Sequence, residues 1–138
     1  MRTCLLVTLL FAAALHADVV RSFQSCEWIS YANGKKFHFQ VTAERVLKAP
    51  VWKSDDVSPP LAARKADELA TAKFRQLIPD WDTWKRERIV LEDLGDGLHW
   101  IYVVEFMQTS SSKVKPPFLN VIVLMDGTVV EPRIQEDK

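Results

Sequence analysis

Leu98-His99-Trp100-Ile101-Tyr102-Val103-Val104-Glu105-Phe106-Met107 is the stretch whose pattern decides the fold. Read as a strand, it points Leu98, Trp100, Tyr102, Val104 and Phe106 to one face. His99, Ile101, Val103 and Met107 point to the other, with Glu105 as the exception. The run Phe118 to Met125 behaves the same way: Phe118, Asn120, Ile122 and Leu124 oppose Leu119, Val121, Val123 and Met125. Both strands are apolar on both faces, so each face needs a cover.

Working outward, Asn33-Gly34 is a two-residue turn, because both residues tolerate positive φ. It sits inside a β-hairpin expected over residues 22–47. Phe37, Phe39, Val41 and Ala43 alternate there with His38, Gln40, Thr42 and Glu44, giving one buried and one wet face. A helix is expected from Ser58 as N-cap and Pro59 as first helical residue, ending at Pro79. Ala62, Ala63, Ala66, Leu69, Ala70, Phe74 and Leu77 form its apolar stripe. Arg86–Leu94 reads as a strand before the Gly95-Asp96-Gly97 turn, and Thr109–Pro117 as a polar loop. Asp126-Gly127 turns the chain into a short last strand, Thr128–Glu131. The expected fold is α+β: hairpin, helix, then β-meander, with one helix packed on an antiparallel sheet.

The N-terminus reads as an export signal. Met1-Arg2-Thr3 is basic, and the apolar run Cys4–Leu15 spans 12 residues, well short of the ~20 that cross a bilayer. Small residues and Asp18 follow, the layout of a cleaved signal peptide. The domain organisation expected is a signal peptide over 1–17, one domain over 18–132, and a charged tail over 133–138. The mature chain is expected outside the cytoplasm, periplasmic or extracellular, with no transmembrane span.

The 138 residues carry 18 Lys+Arg and 18 Asp+Glu. This balance argues against nucleic acid as a partner, which needs a basic excess. Removing the leader takes Cys4 and leaves Cys26 alone, so no intrachain disulfide is expected. Cys26 lies in no nucleophile signature, although His38 or His99 could in principle serve as its base. No histidine pair has helical metal-ligand spacing. Asp93-Leu94-Gly95-Asp96-Gly97 lacks the ligand set of a calcium loop. No catalytic residue, metal or cofactor is therefore assigned. Glu105, inside an apolar strand, is expected to reach an edge or pair with a base.

The Ala-rich helix, the Leu98–Phe106 strand and the closing Val121-Ile122-Val123-Leu124-Met125-Asp126-Gly127-Thr128-Val129-Val130 resemble the PepSY and cystatin-like class of small secreted domains. The resemblance covers residues 58–132. It implies ligand binding or peptidase inhibition. The expected function is an exported, non-enzymatic module that binds a protein or peptide. The alternative is a small cavity enzyme or ligand-binding protein of the NTF2-like type. Two sets of residues carry the binding expectation. Trp81 and Trp84 stand among charges after the helix stop, where aromatics often form recognition surfaces. Ile101, Val103, Val121 and Val123 lie on the sheet face that a single helix leaves bare. A partner, or a second copy in a homodimer, is expected to cover it.

Overall fold

The computed structural model describes residues 25–109 and 117–136; the expected signal peptide lies outside them. Asn33 (φ 51°) and Gly34 (φ 70°) turn the chain between β1 (Cys26–Ala32) and β2 (Lys35–Val41). The ladder runs from Ala32 opposite Lys35 to Cys26 opposite Val41. It therefore sets Trp28, Ser30, Phe37, Phe39 and Val41 on one side. Thr42 then ends the strand and starts the short helix α1 (Ala43–Lys48), its carbonyl accepting the N–H groups of Arg45 and Val46.

The main helix α2 (Ala63–Leu77) buries Ala66, Ala70 and Phe74. A 3-10 turn (Trp81–Thr83) leads into β3 (Trp84–Asp93), which pairs with β4 (Trp100–Gln108), and β4 pairs with β5 (Phe118–Leu124). The last strand, β6 (Arg133–Glu136), returns to pair with β2. All ladders are antiparallel, in the order β3-β4-β5-β1-β2-β6.

Register defines the two faces of the central strands. Tyr102, Val104 and Phe106 stand opposite Val123, Val121 and Leu119, while Ile101, Val103 and Glu105 stand opposite Leu124, Ile122 and Asn120. The first set faces α2: Phe74 stacks on Phe106 at 4.1 Å, and Trp84 meets Phe74 edge-on at 5.7 Å. The alanines of α2 permit this close approach. The second set is covered by the β1–β2 hairpin. Trp28 lines one hollow together with Val103 and Asn120, and Phe37 and Phe39 are fully buried.

The hairpin reaches that position because β1 leaves β5 almost at once. Only Tyr31 and Phe118 pair between them. Beside that pair the Asn120 N–H is taken by the side-chain oxygen of Ser30, at 3.0 Å. Farther along β5, the chain after the Asp126-Gly127 turn takes the same edge. Val129 bridges Val123, and the Val130 N–H donates to the Ile122 carbonyl at 2.9 Å.

This architecture corrects the expected fold class. The protein is dominated by a six-stranded antiparallel sheet that curls over itself, with one substantial helix on one face. It is not a helix-on-sheet α+β domain built as hairpin, helix and meander. The sheet supplies the second layer, so the helix is only a partial cover. Local boundaries differ too. The helix starts at Ala63, with Ala62 extended (φ −66°, ψ 140°) as N-cap, and not at Pro59. Pro60 bars its predecessor Pro59 from helical φ/ψ, and Leu61 is held by Tyr102, whose hydroxyl donates to its carbonyl at 2.8 Å. Thr128–Val130 makes only a bridge. Strand pairing resumes after Pro132, in Arg133–Glu136, where a charged tail is the sequence expectation.

Candidate functional site

Strand β3 is an outer strand of the sheet, paired on one side by β4 and on the other by nothing among the described residues. Its alternate N–H and C=O groups on that side are open for pairing. The first half of the strand is guarded. Lys85-Arg86-Glu87-Arg88 is charged, and the register shifts between Arg86 and Arg88, so Glu87 is the extra residue of a bulge. Charge and bulge are the usual devices that stop a strand edge from accepting another strand. The second half, Ile89-Val90-Leu91-Glu92, is regular, and Val90 is exposed.

Two hollows flank this unguarded half, one on each face of the sheet. On the helix side, Ile89 and Leu91 join Ser58, Pro59, Ala62, Ala63 and Tyr102 around an apolar hollow of about 490 Å³. Burial raises the Tyr102 hydroxyl pKa above its ordinary value. On the hairpin side, Arg88, Val90 and Glu92 join Trp28, Val103, Glu105 and Asn120 around a mixed hollow of about 270 Å³. There Glu105 pairs with Arg88 at 3.2 Å, resolving its place in an apolar strand. The Asn120 Oδ1 is buried and receives no hydrogen bond. Burial first, and then the charge of Glu92, push the Cys26 thiol pKa up.

The residues singled out in the sequence are dispersed. Ile101, Val103, Val121 and Val123 are at most 7% exposed. Ile101 and Val103 face the hairpin, whereas Val121 and Val123 face α2. These four do not share a face, and among the described residues all four are buried rather than presented on an open surface. The hairpin is the cover. Trp84 is in the core, while Trp81 is 43% exposed and carries the Arg75 guanidinium 4.5 Å above its ring. The two tryptophans form no common patch.

Chemistry is equally separated. Cys26 stands opposite Val41 and His38 opposite Ile29, on opposite sides of the hairpin. The His38 Nε2 faces Glu27 at 3.2 Å. The His99 ring is held by Asp96 in the β3–β4 loop, Nδ1 to Oδ2 at 2.6 Å. It lies six positions along β4 from Glu105, about 20 Å at strand rise. Partial burial pushes the Asp96 carboxyl up. Hydrogen bonds from the His99 ring and from the backbone N–H groups of His99 and Leu98 outweigh it and hold the pKa below the usual range. Among the described residues no group of three or more His, Cys, Asp and Glu could hold a metal, and no helix is long and apolar enough to cross a membrane. A third hollow, of about 510 Å³, lies on the wet side of β2 and α1 and is polar throughout, with Arg45, Lys48 and Arg133 among its lining.

The β3 edge escapes sequence reasoning because edge status is a property of pairing. The signal that could have found it is the charged, bulge-prone Lys85–Arg88 beside the apolar Ile89–Leu91. No family model, no curated protein and no solved structure matches the chain.

Proposed function

We propose that the protein is an exported binding module that takes an extended segment of another protein as an added strand along Ile89–Glu92 of β3. One observation carries this: the unguarded half of the edge lies between two hollows that open on opposite faces. A strand sends successive side chains to opposite faces. A segment paired there would place alternate side chains in the helix-side and hairpin-side hollows, with backbone hydrogen bonds for affinity and the hollows for selection. The rival cavity enzyme would be favoured by Glu105 and His99 in one pocket; Glu105 lines the hairpin-side hollow without His99.

The test is selection of random displayed heptapeptides on the full chain, followed by amide hydrogen exchange of the complex. Enriched peptides should slow exchange of amides within Ile89–Glu92, and Leu91→Asp should abolish their binding. Failure to enrich any peptide, or protection elsewhere with β3 unchanged, would overturn strand addition.

A further inference from the structure

We propose that the added segment presents a lysine or arginine side chain to the hollow beside Trp28, between apolar neighbours that enter the helix-side hollow; this rests on strand addition along β3. The two hollows differ in chemistry. The helix-side one offers Ile89, Leu91, Pro59, Ala62 and Ala63, with a Tyr102 hydroxyl already committed to Leu61. It suits an apolar side chain.

The hairpin-side hollow is lined by apolar Trp28, Val90 and Val103 and by polar Arg88, Glu92, Glu105 and Asn120. That mixture matches a long basic side chain, whose methylene stem lies on apolar surface while its head seeks acceptors. Trp28 adds an aromatic ring, a group that attracts cations.

Two features disfavour acidic and apolar side chains. Two carboxylates, Glu92 and Glu105, and one guanidinium, Arg88, line this hollow, and Arg88 pairs with Glu105. Glu92 leaves the lining with a net negative charge, which disfavours an acidic side chain. The Asn120 Oδ1 is buried without a donor. Such an acceptor costs free energy until an N–H reaches it. An apolar side chain would leave it unpaired, whereas ammonium and guanidinium carry only donors. The backbone N–H of Asn120 is already given to Ser30.

The peptide selection described above reads this out separately from strand addition. Enriched heptapeptides should carry Lys or Arg at one position and apolar residues on both sides of it. Replacing that basic residue with norleucine should weaken binding at least tenfold by isothermal titration. Glu92→Gln and Glu105→Gln should each shrink the difference between the basic and norleucine peptides; Glu92→Gln keeps the reading accessible if Glu105→Gln, which loses the Arg88 pair, fails to fold. Peptides that protect β3 but bind equally with norleucine would overturn the basic side chain and leave strand addition standing. Peptides that leave β3 unprotected would overturn both.

Discussion

Ser30 Oγ lies 3.0 Å from the backbone nitrogen of Asn120 and accepts its N–H. The contact marks the point at which β1 stops pairing with β5 and the hairpin swings over the second face of the sheet. A side chain here does the work of a ladder carbonyl, and Ser30 is fully buried.

Ser30→Ala removes that acceptor and leaves the Asn120 N–H buried and orphaned. The expected loss is about 1–3 kcal/mol, read from the denaturant midpoint. Unchanged stability would mean that the bend is held by the hairpin packing alone.

The two tryptophans after α2 should behave differently. Trp84→Ala opens a cavity against Phe74 and should cost about 3–5 kcal/mol. Trp81→Ala loses an exposed ring and its Arg75 contact, about 0.5–1 kcal/mol. Equal losses would contradict the division into core and surface.

Val121→Lys places a charge in the fully buried layer between the sheet and α2. This variant should fail to give a cooperative unfolding transition by circular dichroism. A folded variant that merely lost a partner in sedimentation would restore the contact face expected from the sequence.

Asp96 ties down the β3–β4 loop through His99 and Leu98. Its folded pKa lies below the unfolded value. The stability it contributes is therefore fully present above about pH 4, the ordinary Asp value, and is lost as pH falls through the folded value. Asp96→Asn should cost about 1–3 kcal/mol at pH 7, and the gap from wild type should close toward pH 2. A gap that widens in acid would refute this assignment.

Export makes a further prediction. We propose cleavage between Ala14 and Asp18, where the short apolar run gives way to small residues. Mass spectrometry of the exported chain should find its N-terminus there; an intact Met1 would rule the signal peptide out.

Periodicity and turn chemistry carried much of the local structure. Asn33-Gly34 turns the hairpin because positive φ is cheap for those two residues, and Trp100–Gln108, most of the expected Leu98–Met107 run, forms a strand apolar on both faces. Phe74 sits in the stripe that α2 buries. These are short-range properties, legible wherever a few neighbours decide the outcome. Pro59 suits a first helical turn, but Pro60 keeps it out of the helical region, and the helix starts at Ala63.

What the sequence by itself determined is thus the apolar character of both faces of β4 and β5, and the demand that each be covered. What covers them was decided only in three dimensions. Alternation says which residues share a face within one strand, but not which face of the next strand they join. That depends on register, and register put Val103 beside Ile122 and Val121 beside Val104. The same holds for the candidate site. Ile89–Glu92 became an edge because β1 joined β5, away from β3, a long-range pairing that no residue of β3 announces.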